Sequence, residues 1–289
     1  MRLITSLLLL LVAAVAAPAS LTAQHVELGV KAGFAMYSGD LSPKEFGIYW
    51  DDMNFAGGAY LRYHPESRFG VRVNANFGRI SAESNSLVAP NDDRELVSVD
   101  RNFRSSIQEF NVVLEYDLLY IGDRYGSSYL AGYLYGGPGV LSFNPESEID
   151  GVYTELQPLA TEGQGSGLSP EYDATRYELT RIVGVLGGGI RVRIADRFTV
   201  GLELGGRITG MDYLDDISDT SVRYLDVLQG DNGGLAARFS NPNIQNPSEA
   251  TNITYRRGGD AMDYYFVGGL TVGIALGGGG SRKSGCYTF

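Results

Sequence analysis

Apolar and polar residues alternate along this chain in eight runs, and the links between the runs are in turn long and short. A β-strand sends successive side chains to opposite faces, so each run splits by parity into two lists. In the first run Val26, Leu28, Val30, Ala32 and Phe34 oppose Glu27, Gly29, Lys31 and Gly33. In the third, which opens at Phe69 and closes at Ser81, Val71, Val73, Ala75 and Phe77 oppose Arg72, Asn74, Asn76 and Gly78. The fourth, from Ile107 to Tyr120, sets Phe110, Val112, Leu114 and Tyr116 against Glu109, Asn111, Glu115 and Asp117. The seventh and eighth behave alike, with Leu202 and Leu204 against Glu203 and Arg207, and Leu270, Val272 and Ile274 against Tyr265 and Thr271. The second, fifth and sixth runs are blurred by Gly57-Gly58, Gly136-Gly137 and Gly187-Gly188-Gly189, which read as kinks or bulges.

Runs two and three are joined by residues 65–68, four and five by 122–127, six and seven by 195–197. The other connections, residues 37–54, 82–104, 144–178 and 212–262, are long. Short turns on one rim and long loops on the other predict an all-β fold: an eight-stranded antiparallel transmembrane β-barrel, four long loops extracellular and the turns periplasmic. Parity alone also fits a soluble lipocalin-like carrier with its apolar face inside. The one-sided loops, and a bore too narrow for Phe, Leu and Val from every strand, favour the apolar face toward lipid. Glu27, Lys31, Arg62, Arg72, Glu109, Glu115, Arg191, Arg193, Glu203 and Arg207 then meet in that bore, pair and close it.

The N-terminus agrees. Arg2, an apolar stretch from Leu3 to Ala17 and the small residue Ala23 make residues 1–23 a signal peptide, with the barrel over 24–276 and a Gly-rich linker and short periplasmic tail over 277–289. Beyond it no run of about 18 apolar residues occurs, which excludes a helical membrane protein. The 19 tyrosines suit interfacial girdles. Cys286 is the one cysteine, so no internal disulfide forms. The net charge of −11 argues against nucleic acid as a partner.

At the loop junctions the residues become more specific. Tyr37-Ser38-Gly39-Asp40-Leu41, Phe77-Gly78-Arg79-Ile80-Ser81, Asn102-Phe103-Arg104-Ser105, the stretch from Glu155 to Gly165 and that from Asp212 to Ser218 resemble the PorG-like outer-membrane barrels of Bacteroidetes. In that resemblance the family-motif loop positions are Gln157, Pro158, Thr161, Glu162, Gly163, Tyr213, Asp215 and Asp216. It implies a structural part of a type IX secretion system, associated with a periplasmic ring of a PorK-like lipoprotein and a PorN-like protein. Cys286, in a basic tail beyond Gly277–Gly280, is a candidate partner contact. A stand-alone surface barrel whose loops bind external ligands is the alternative.

Catalysis finds little footing. The two histidines, His25 and His64, lie away from the long loops, which leaves a loop hydrolase without its usual base. No cofactor is expected. Asp212, Asp215, Asp216 and Asp219 offer oxygens for a hard cation but lack EF-hand spacing, and polar turns or bonds to nearby backbone N–H groups account for them better. Glu162-Gly163-Gln164-Gly165-Ser166-Gly167 lacks the lysine and strand-to-helix setting of a phosphate loop and reads as a turned or flexible segment.

Overall fold

The computed structural model describes residues 25–42, 46–65, 68–88, 97–122, 128–194, 197–244, 246–250, 253–259 and 262–276. The signal segment, the tail with Cys286 and His25's side chain lie outside what it describes. Eight antiparallel strands close on themselves: β1 (His25–Ser38), β2 (Asn54–His64), β3 (Phe69–Val88), β4 (Val97–Gly122), β5 (Tyr129–Ile149), then β7 (Thr180–Ile194), β8 (Phe198–Ile208) and β11 (Tyr264–Ala275). β6 (Val152–Glu155) folds back on the end of β5, and β1 pairs β11 to complete the cylinder. The last long connection carries β9 (Ser221–Arg223), α1 (Tyr224–Gln229), α2 (Gly233–Ser240) and β10 (Thr254–Arg256).

The parity lists hold. Leu28, Val30, Phe110, Leu114, Ile182, Leu202 and Ile274 all lie on the outside, and Ile182 and Leu114 are 78% and 66% exposed. An apolar band of this extent encircling a water-soluble monomer would drive association, whereas hydrocarbon covers it at no such cost. Opposite them Glu27, Arg62, Arg72, Glu115, Arg191 and Arg207 are buried.

Three expectations change. First, much of residues 82–104 and 144–155 is strand, because β3 and β4 stay paired out to Val88 and Val97, and β5 runs on to Ile149. The interior face switches there from charged to apolar, with Ile80, Ala82, Phe103, Ile107, Leu141 and Phe143 in one buried cluster, so parity loses its contrast. Second, the register does not shift at the glycine pairs and triplet. The shift between β4 and β5 falls instead between Asp117 and Leu119. The glycines make room: a Cβ on Gly187 would stand 2.5 Å from the Tyr135 ring, and one on Gly29 2.2 Å from the Tyr60 ring. Third, Tyr37, Tyr60, Tyr133, Tyr135 and Tyr265 are buried inside rather than placed in girdles. Around the loop rim the outer ring is built from Phe34 against Trp50 and Phe46 against Tyr264 and Phe266.

Candidate functional site

The bore is filled by ion pairs. Glu115 stands 2.9 Å from Arg62 Nε, 2.9 Å from Arg72 Nε and 2.6 Å from Arg191 Nη1. Glu203 accepts from Lys31 at 2.9 Å and Arg72 at 2.6 Å, and Glu27 from Arg62 at 2.5 Å, Tyr60 and Thr199. Arg207 donates to Glu109 at 2.9 Å, and Arg191 also reaches Asp117. Tyrosine rings fill the remaining space beneath the guanidinium groups, Tyr133 under Arg191 at 4.5 Å and Tyr135 under Arg72 at 4.8 Å. Opposite charges in a low-dielectric cylinder hold each other, so the interior is a packed core and not a channel. His64 belongs to this packing, its Nε2 3.2 Å from Arg191 Nη2, which removes it from any solvent-facing chemistry.

Above the ion pairs the loops form a cap with a second apolar core, which includes Leu156, Leu159, Val222, Tyr224, Val227, Phe239 and Tyr255. The eight loop positions singled out in the sequence all enter this cap. Gln157 donates to the Tyr177 carbonyl at 2.9 Å, and the Pro158 carbonyl accepts from Asn232 at 2.7 Å. Thr161 donates to Asp216, which also accepts from Tyr177 at 2.8 Å. Glu162 accepts from the Ser218 N–H at 3.0 Å and its hydroxyl at 2.5 Å. Gly163, at φ +81°, lies against Tyr172, where a Cβ would approach the ring to 2.8 Å. Residues 160–166 are thus a tight turn, closed by Gly163 N–H to Ala160 and Ser166 N–H to Gly163. Tyr213 stacks on Tyr177 at 4.9 Å.

The four aspartates considered for a metal do not share a site. Asp215 accepts from Tyr37 at 2.7 Å and from the Ile217 N–H, Asp216 turns to Thr161, Tyr177 and Arg257, and Asp219 is exposed. Among the described residues no three histidine, cysteine or acidic side chains form a group that could hold a metal ion. Tyr37 Oη lies 2.7 Å from both Asp215 Oδ2 and Asp263 Oδ1. A phenol has one proton to donate, so the second contact is a hydrogen bond only when a carboxyl donates back. Buried between them, one of the two acids is held protonated.

This arrangement makes the cap pH-sensitive. Burial lifts Asp263 to about 8, and burial with the neighbouring Asp40 lifts Asp212 to about 8. Burial pushes Glu162 up to about 7 against the pull of Arg257. In the unfolded chain these groups titrate near ~4, so the folded cap holds protons more tightly and is fully stabilised below that pH. The stabilisation is lost as pH rises through about 7 to 8. The urea midpoint of the cap, followed by near-ultraviolet dichroism of its buried tyrosines, is therefore expected to be lower at pH 9 than at pH 6. Asp263→Asn keeps an acceptor for the Leu214 N–H and a donor for Tyr37, and should reduce that difference, leaving the share of Asp212 and Glu162. An unchanged midpoint in the wild type between the two pH values would contradict the shared-proton arrangement.

The model of the outer membrane protein beta-barrel domain family matches residues 5–225, well over half the chain. The chain belongs to this family. Its location is accordingly the outer membrane, in agreement with the apolar exterior. Among solved structures it is similar to the N-terminal β-barrel domain of Pseudomonas aeruginosa OprF, at 9% identity and TM-score 0.35, covering 88% of this chain and 97% of that one. It is also similar to Yersinia pestis Ail, the attachment invasion locus protein, in complex with the heparin analogue sucrose octasulfate, at 10% identity and TM-score 0.34, covering 88% and 100%. No curated protein matches the chain.

Sequence reasoning placed the charged bore correctly but missed two things in the loops. The helices α1 and α2 lie inside the long connection 212–262, although Tyr224 with Val227 and Ala236 with Phe239 carry helical spacing. Arg101 was passed over because it fell in a segment read as a connection; the structure buries it beside the cap.

Proposed function

We propose that this chain is a non-enzymatic structural component of a type IX protein secretion system, anchored in the outer membrane and touching a periplasmic ring of PorK-like and PorN-like proteins. The observation that carries the structural role is the bore itself. Five carboxylates, Glu27, Glu109, Glu115, Asp117 and Glu203, are interlocked with buried cations and leave no path for a substrate. The link to secretion rests on the resemblance of the loop motifs, and its support is that Thr161, Glu162, Tyr213, Asp215 and Asp216 all take part in the cap's own contacts. In this reading the three short turns and residues 277–289 face the periplasm and supply the ring contact, Cys286 included.

Gentle detergent extraction of the tagged chain is the test. PorK-like and PorN-like proteins should co-purify, and deletion of the gene should leave proteins bearing C-terminal secretion signals trapped inside the cell. A barrel that comes out alone, with secretion intact in the deletion strain, would leave the stand-alone surface barrel as the better account.

A further inference from the structure

Arg101, near the outer end of β4, is 6% exposed, and none of its three guanidinium nitrogens has a hydrogen-bond partner. Buried guanidinium groups are paired or they are costly, because leaving water without a compensating acceptor costs several kcal/mol. Four other buried arginines obey that rule: Arg62, Arg72, Arg191 and Arg207 each meet a carboxylate. Arg101 instead lines a cavity of about 50 Å³ between the barrel rim and the cap. Its walls include a second guanidinium, Arg257, the segment Ser147-Glu148-Ile149, and apolar Phe239 and Leu156. Room for one water needs roughly 10–15 Å³ by the same measure, so the space admits a small polyatomic ion.

We infer that this cavity is an oxyanion-binding site, in which Arg101 and Arg257 take a sulfate, phosphate or carboxylate group presented at the loop end of the barrel. The planar guanidinium fork suits two oxygens of one such group at once. Arg257 is already committed through Nη1 to Thr161, the Asp216 carbonyl and the carboxylates of Asp216 and Glu162, which fixes its position and leaves Arg101 as the residue that gains most from a ligand. Two acids, Asp215 and Glu148, line the same space, and neither is hydrogen-bonded to Arg101. Asp215 is engaged by Tyr37 and the Ile217 N–H, and Glu148 by the Tyr153 hydroxyl. Burial raises the Asp215 carboxyl, so at mildly acidic pH it opposes an incoming anion less than a surface carboxylate would. The site is independent of the secretion role and of the contacts proposed for the short turns.

Calorimetric titration of the full, folded chain in a zwitterionic detergent at pH 6 tests this, with sodium sulfate and sodium phosphate as probes and ionic strength held constant with chloride. A glycerol phosphate ester and a lipid phosphomonoester in mixed micelles form a second arm. Binding of the inorganic ions alone identifies a free anion as the ligand, and tighter binding of the esters identifies a headgroup. Arg101→Gln should weaken binding at least tenfold and Arg101→Lys less, while Arg104→Gln, whose partner is the half-exposed Glu146, should leave it unchanged. Retention of the heat-modifiable folded band on gels shows that each variant is still a closed barrel. No saturable heat from any probe with the wild type, or full binding by a folded Arg101→Gln, would overturn the inference.

Discussion

Glu115→Gln is expected to destabilise the barrel by about 3–5 kcal/mol, the loss typical when one partner is removed from a buried ion pair. Glu115 is the common counter-ion of Arg62, Arg72 and Arg191, two at 2.9 Å and one at 2.6 Å. Neutralising it leaves three guanidinium groups crowded together with only their secondary partners, Glu27, Glu203 and Asp117, to hold them. No solvent reaches the site to screen the excess charge, since all four side chains are at most 1% exposed. The contrast is Glu146→Gln. Its pair with Arg104 is 2.7 Å long but about 30% exposed on both sides, and its loss should cost at most about 1 kcal/mol. Urea titration of the barrel refolded into lipid vesicles, read by gel mobility, compares the two. Equal midpoints would mean that the bore is hydrated and its charges screened.

One residue earlier the chemistry reverses, and so does the expected result. Leu114→Arg should cost about 2–4 kcal/mol, the range for a cation on the lipid face of a membrane barrel near its midplane. Leu114 sits on the outer face of β4, 66% exposed, while its neighbour Glu115 is sealed inside. An arginine there gains no carboxylate, because the residues paired across from it are Val71 and Gly136 and those two places along its own strand face are Val112 and Tyr116. Leu114→Phe, which keeps an apolar surface, should be close to neutral. In the same vesicle assay an unaltered midpoint for Leu114→Arg would show that the band faces water.

These two neighbours explain why so much of the fold was legible. A lipid-facing barrel puts opposite solvents on the two faces of every strand, so Leu114 and Glu115 differ as sharply as side chains can. Legibility failed where that contrast failed. Beyond Ile80 and Ile107 the inner face turns apolar to meet the cap, and the strands continue without an alternating signature. Gly187 reads as an interruption because what it accommodates, the ring of Tyr135, belongs to another strand, invisible to periodicity within one. The cap was hidden for a related reason. Tyr224, Phe239 and Tyr255 bury one another across more than thirty residues of largely polar chain, and only the folded loops bring them together. The motif positions Thr161, Glu162 and Asp216 were flagged by resemblance, with no physical reason visible until their contacts to Arg257, Ser218 and Tyr177 appeared.

The seam between β1 and β11 joins twelve residue pairs from opposite ends of the chain, Glu27 with Ala275 through Ser38 with Tyr264. Contacts this distant along the polypeptide are slow to form, because the intervening loop must lose its freedom before any pairing rewards it. Here that loop is almost the whole protein, and the cap segment lies between β8 and β11. The cylinder can therefore shut only once its final strand is made and reaches β1. Until then β1 presents an unpaired edge, and the nascent barrel depends on protection from misassembly during its journey to the membrane.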